Sequence, residues 1–185
     1  MTHTGSVTIA VWRVSGSDPR FDEVAGLFDG YRQHYGANPA PAAAGRWLRT
    51  QHDADRLQLF AAASGDGAGG DGAGRGRVWG LLTVTVVPAS LTLRTAWLVR
   101  DLYVDPIARR RGVARALLTH VTAAAVRAGA HRLSLQTEID NTRALALYAA
   151  AGFEPVTDLA LLNLRLEPPR PGAGARGTAA DYRAT

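Results

Sequence analysis

The segment DLYVDPIARRRGVARALL, residues 101–118, constrains the fold of this chain more than any other. A β-rich apolar run ends at Val104. After a proline-containing turn, Val113, Leu117, Val121 and Ala124 recur at the spacing of one helix face. A strand that feeds an amphipathic helix through a short turn needs a sheet for the helix to pack on. Between the two stand Arg109, Arg110 and Arg111, with Arg115 one turn further on. The first turn of a helix has unpaired N–H groups and a partial positive charge, so each exposed cation there costs roughly 0.3–1 kcal/mol. A bound polyanion reverses that sign, because its oxygens accept the free amides and neutralise the arginines together. Gly112 and Ala114 are small enough to let phosphate reach the backbone. From the residues alone two readings stand: an arginine-rich solvated loop, and a phosphate site.

The rest of the chain alternates in the same way. Residues 7–14 are rich in β-branched side chains and read as a first strand. Asp18 is placed to cap a helix with Pro19 at its first position and Phe21, Val24, Leu27, Phe28 and Tyr31 on one face, ending near Gly36. A second helix is expected over residues 42–51, and strands over 56–64 and 77–87, joined as a hairpin by a long glycine-rich loop. The strand at 95–104 precedes the arginine turn. A strand at 131–138 and a short helix at 141–152, closed by Gly152, follow it. Residues 153–167 read as a final strand pair in which Leu162, Leu164 and Leu166 alternate with Asn163, Arg165 and Glu167, one face being buried. The order βααβββαβαββ describes one domain over residues 1–167, an α/β (α+β) fold with a mixed, mostly antiparallel sheet of about seven strands and helices on both faces. Residues 168–185 have too little apolar content to fold and are expected to form a disordered tail.

Composition narrows the chemistry. All 21 basic residues are arginine, so the net charge of +5 is an arginine charge, suited to phosphate through the planar guanidinium fork. Abundant Ala, Gly, Arg and Pro without Lys is also what a GC-rich coding sequence produces. Cysteine is absent, which removes disulfides, thiolate metal sites and cysteine nucleophiles. No run approaches the roughly 20 apolar residues of a membrane span, and the N-terminus lacks a secretory pattern, so a cytoplasmic protein with no membrane partner is expected. Gly67, Gly69 and Gly72, like Gly172, Gly174 and Gly177, satisfy G-x-G-x-x-G. Neither set follows a strand and opens a helix, so neither reads as a dinucleotide site. The five histidines, His3, His34, His52, His120 and His131, have no metal-ligand spacing. Helix-turn-helix, zinc and ribonucleoprotein patterns are also missing, so no nucleic-acid partner is expected.

Within RRRGVA, Arg109, Gly112 and Ala114 fill the pattern [QR]-x-x-G-x-[GA], directly after the strand LYVDP and before an amphipathic helix. About 30 residues downstream, DNTRALALYAAAGF puts Asn141, Ala144 and Tyr148 on one face of a short helix, with Gly152 and Phe153 at its end. Asn141 also reads as a plain helix cap, and Tyr148 as a packing residue. In these two segments the chain resembles the GNAT superfamily of acetyl-coenzyme A-dependent N-acetyltransferases. The likeness is detailed over residues 98–153 and extends in element order over 7–167. It implies acetyl-CoA as cofactor and a small-molecule or peptide amine as partner, and it raises a homodimer as an expectation. By the same resemblance, backbone amides of Arg110, Arg111, Gly112, Val113, Ala114 and Arg115 cradle a pyrophosphate, together with Arg109. Val104 pairs with the pantetheine arm, the Leu102 amide faces the acetyl carbonyl, Asn141 and Ala144 lie against the cofactor, and Tyr148 protonates the sulfur. Some members carry a glutamate as base where this chain has Leu98, leaving Asp101 and Glu138 as acidic candidates, or as salt-bridge partners of Arg100 and Arg132. Tyr31, Tyr35, Trp47 and Trp97 stand where this fold recognises its acceptor, and could wall a pocket or belong to the core. A coenzyme-binding sensor without catalysis is the competing class. Without lysine, side-chain self-acetylation on lysine is excluded.

Overall fold

A computed structural model of the chain describes residues 8–65, 76–164 and 166. Both glycine-rich patterns, His3, Arg165, Glu167 and the expected tail at 168–185 lie outside them. The elements are β1 (Ile9–Val14), α1 (Phe21–His34), α2 (Pro41–Asp53), β2 (Gln58–Ser64), β3 (Val78–Ala89), β4 (Arg94–Val104), α3 (Val113–Arg127), β5 (Arg132–Leu135) and α4 (Thr142–Ala150). The sheet runs β1-β2-β3-β4-β5. Its first four strands pair antiparallel through hairpins or through α1 and α2, while β4 and β5 pair parallel. A parallel pair needs a crossover, and α3 supplies it, which places the arginine turn at the end of a central strand.

Each face of the sheet is covered. Val14, Leu59, Ala61, Val78 and Leu81 pack with Phe21, Val24, Phe28 and Leu48 of α1 and α2. Phe60, Ala62, Leu82, Val84, Trp97 and Val99 pack with Val113, Leu117, Leu118 and Val121 of α3. Gly80 sets the closeness of the second contact. A Cβ there would stand 3.0 Å from Val113 Cγ1, 3.0 Å from the Tyr103 carbonyl and 3.2 Å from Leu117 Cδ1, so glycine lets the first turns of α3 lie on the strands.

Four expectations are corrected. The helix capped by Asp18 starts two residues later, at Phe21 after Arg20. The Asp18 carboxylate instead accepts from the Arg20 amide at 2.8 Å and the Trp12 indole at 2.8 Å, tying the helix entrance to β1. The strand expected over 131–138 is four residues long. Five strands form among the described residues rather than seven. Residues 153–164 carry no regular structure, and Leu162, Leu164 and Leu166 are 87%, 85% and 82% exposed, so the expected buried face is not buried. Period-two alternation specifies a strand only if an edge and a packing layer stand opposite it. Here the neighbouring edge is the short β5, and Pro155 lacks a ladder donor.

Candidate active site

The arginine turn has the geometry of an anion cradle. Arg110 and Gly112 both adopt left-handed backbone, with φ of 65° and 86°, which tips successive N–H groups toward one side. The Arg109 amide donates to the Pro106 carbonyl at 3.4 Å and the Ala116 amide to the Gly112 carbonyl at 2.9 Å. The six amides between them, residues 110–115, meet no protein acceptor among the described residues, and no side chain caps the helix. This donor set fits a diphosphate, since six free amides at a helix N-terminus beside four guanidiniums leave a deficit that only an anion or water corrects. Two of the guanidiniums are held. Arg109 Nε donates to the Val104 carbonyl at 3.2 Å, and Arg111 lies over the Trp79 ring at 5.6 Å. Arg110 and Arg115 are exposed.

A cleft leads from this turn into the sheet. β5 lies beside β4 only over Ala96–Val99, and β4 then continues to Val104 with no strand on that edge among the described residues. The cleft that opens there has a volume of about 270 Å³. Leu102, Val104, Arg109 and Ala114 line one side, and Glu138, Asn141, Ala144 and Tyr148 the other. Val113 is buried against the sheet, while Arg110, Arg111 and Gly112 stay exposed on the turn between the two lining residues Arg109 and Ala114, and Arg115 is exposed just beyond them in α3. The two readings of Asn141 prove compatible: its Oδ1 accepts from the Ala144 amide at 3.2 Å, capping α4, and it also lines the cleft. Tyr148 packs edge-on against Phe153 at 6.0 Å and still reaches the cleft. Burial, and then Tyr35 and Glu138, push its hydroxyl above the ordinary phenol value of 10.0, so it is protonated at neutral pH.

The acidic candidates are held by hydroxyls rather than by arginines. Thr83 Oγ1 donates to the Asp101 carboxylate, whose charge also bears on the Tyr31 hydroxyl. Thr137 Oγ1 donates to Glu138 at 3.3 Å. Neither makes the ion pair with Arg100 or Arg132 open to it in sequence, among the described residues. Burial first, then Asp101, raises the Tyr31 phenol far above its usual range, and Tyr35 rises through burial, Glu138 and Asp101.

A second cavity of about 750 Å³ lies on the α1 and α2 side, walled by Phe28, Tyr31, Tyr35, Trp47, Leu57 and Asp101. Tyr31, Tyr35 and Arg100 line both spaces, so the two adjoin. Trp97 is the exception among the four expected aromatics. It is 5% exposed in the core beneath α3 and lines neither space. A bulge explains this. Thr83 pairs with Asp101 but Val84 with Val99, leaving Arg100 as an extra residue in β4. Counting by twos from Asp101 would put Trp97 on the cavity face, and the extra residue turns it to the other. Arg100, Tyr103, Gln136 and Thr137 also line the cleft, though no short sequence signal singled them out.

Comparison with known proteins gives concordant results. A family model described as the acetyltransferase (GNAT) family matches residues 32–153. An uncharacterized N-acetyltransferase of Bacillus subtilis (strain 168), YhfO, is 27% identical over 134 residues, covering 72% of this chain and 83% of that protein. Among solved structures, a probable acetyltransferase superposes with a TM-score of 0.75 at 25% identity, over 85% of this chain and 98% of the other. An aminoglycoside acetyltransferase from an uncultured soil metagenomic sample, solved with sisomicin, gives a TM-score of 0.67 at 17% identity, over 86% and 97%. At that identity the likeness is one of fold alone.

Proposed function

The chain belongs to the GNAT family of acetyltransferases, and from that premise we propose that it moves an acetyl group from acetyl-coenzyme A to a primary amine in a ternary complex, with Tyr148 as proton donor. The observation that carries this reading is the row of six acceptor-free amides at residues 110–115, which opens on a cleft ending at Tyr148 and adjoining a second, aromatic cavity. When bound, the coenzyme supplies a thioester: the amine nitrogen bonds its carbonyl carbon, the carbon–sulfur bond breaks, sulfur receives a proton, and the amine gives one to solvent.

The chain's residues divide that work. The amides of Arg110 to Arg115 and the guanidiniums around them hold the diphosphate end. The free edge of β4 at Val104 lies along the pantetheine arm as a strand would, and the Leu102 amide donates where negative charge develops on the carbonyl oxygen. Asn141 and Ala144 form the opposite wall. Tyr148 carries its proton at neutral pH and presents it to the departing sulfur, first as a hydrogen bond and then as the transferred proton. Asp101 faces the second cavity and attracts a cationic amine, while Glu138 faces the first cleft. Attack then proceeds from the small neutral fraction of the amine, with water carrying its proton away.

The test is release of free thiol from acetyl-coenzyme A with a panel of amines, for the wild-type chain and Tyr148→Phe. The reading expects turnover by the wild type and a loss in kcat of about 10²–10⁴ in the variant, with coenzyme affinity kept. Coenzyme binding without turnover of any amine, unaffected by Tyr148→Phe, would instead support a sensor.

A further inference from the structure

The charge of the second cavity is the reverse of what a polycationic amine needs. Three arginines line it, Arg32, Arg56 and Arg100, against the single carboxylate of Asp101. They are not equally engaged. Arg32 is bound by the buried Asp29 at 2.6 Å, and among the described residues Arg56 reaches only the neutral Gln51 Oε1 at 3.3 Å. Arg100 has no carboxylate or carbonyl partner among the described residues, though it lines both the cavity and the cleft. Arg100 stands where the two spaces adjoin, and its charge opposes that of Asp101 at the Tyr31 hydroxyl. The bulge in β4 is what sets the cation beside the anion, because Arg100 is the residue added between Val99 and Asp101.

Beyond this pair the cavity is apolar. Phe28 and Trp47 stack at 5.4 Å with planes 1° apart, Trp47 being 49% exposed, and Ala43, Ala44 and Leu57 complete the wall. We propose that the acceptor is an aminocarboxylate with an apolar or aromatic side chain. Its ammonium group is drawn to Asp101, its carboxylate is bound by Arg100, and its side chain is laid against Trp47 and Leu57. A carboxylate one carbon from an amine spans adjacent residues of one strand, and the guanidinium fork grips it through paired donors. A second or third ammonium on the acceptor would face Arg56 and Arg100. This inference rests on the reading of the adjoining cleft as the acyl-donor site, since that fixes which end of the acceptor points toward Tyr31 and Tyr35.

Binding and turnover separate the two ideas. L-phenylalanine, L-phenylalaninamide and the polyamine spermine are titrated against the full chain saturated with coenzyme A, following tryptophan fluorescence and heat, with Arg100→Gln as variant. Thiol release is measured in parallel with acetyl-coenzyme A. The expected result is that phenylalanine binds about tenfold or more tightly than its amide, that spermine binds weakest, and that Arg100→Gln brings the acid-to-amide ratio to about one. Arg100 is exposed, so the variant folds, and an unchanged melting temperature checks this. Arg100-dependent binding without thiol release leaves the carboxylate site standing and sinks the transferase mechanism. Equal binding of acid and amide, tighter binding of spermine, or binding of none of the three overturns the aminocarboxylate whether or not thiol is released.

Discussion

Replacing Gly112 by alanine separates what the arginine turn does for folding from what it does for binding. Gly112 has φ of 86°, and a Cβ added there meets only Ile9 Cδ1, at 3.8 Å, an ordinary contact. The cost to the fold is therefore the left-handed backbone penalty of an L-residue, roughly 1–2 kcal/mol, with no clash added. For a chain of this length that lowers Tm by about 2–8 °C, at 2–4 °C per kcal/mol. Alanine relieves the strain by moving toward negative φ, which turns the amides of residues 111–113 away from a common point. Coenzyme A affinity should then fall by tenfold or more, measured by calorimetry on protein that is still folded. Gly129, at the other end of α3, supplies the control: its φ is 69° and a Cβ there meets nothing within 4 Å. Gly129→Ala should cost a similar few degrees and leave coenzyme A binding unchanged. Equal affinity in the two variants would refute the idea that the turn's backbone shape serves the coenzyme.

Three further outcomes are expected. Gly80→Ala pushes against Val113 Cγ1 and the Tyr103 carbonyl, both at 3.0 Å, and the overpacking should cost about 1–3 kcal/mol in urea unfolding while also weakening coenzyme A binding, because it displaces the first turn of α3. In the folded chain Tyr31, Tyr35 and Tyr148 are all raised above 10.0, burial being the first cause in each. Their contribution to stability is therefore full below about pH 10, where unfolded tyrosine titrates, and is lost above it as the unfolded chain sheds protons that the folded chain keeps. Urea midpoints should be flat near pH 8 and fall above pH 10, and a flat profile to pH 11 would contradict the burial of these hydroxyls. For the same reason kcat/KM should rise with pH as the amine deprotonates and lose activity to Tyr148 ionisation only at a higher pH than an ordinary phenol would, an alkaline fall well below pH 10 counting against Tyr148 as the donor.

How much of this was legible in the sequence depended on how local each signal was. The arginine turn could be read because its determinants, Arg109, Gly112 and Ala114, lie within six residues of one another between a strand and an amphipathic helix. Asn141 and Tyr148 were readable for the same reason, as neighbours on one short helix. The face of β4 was not, because it depends on a register shift against β3, and a single extra residue at Arg100 moves Trp97 from cavity wall to core. Nor does the alternation of Leu162, Leu164 and Leu166 say whether a sheet edge stands ready to receive it, and here those leucines face solvent. The second cavity is assembled from α1, α2 and both central strands, so its excess of arginine over carboxylate becomes visible only when those elements are packed together.

The central claim is that the six amides of residues 110–115 hold the diphosphate of coenzyme A. A crystal structure of the chain with coenzyme A tests it directly. Diphosphate oxygens should lie about 2.7–3.2 Å from several of those nitrogens, with the sulfur in the cleft beside Tyr148. Coenzyme A bound with its diphosphate elsewhere, or a first turn of α3 whose amides are met by the protein's own groups, would contradict the account.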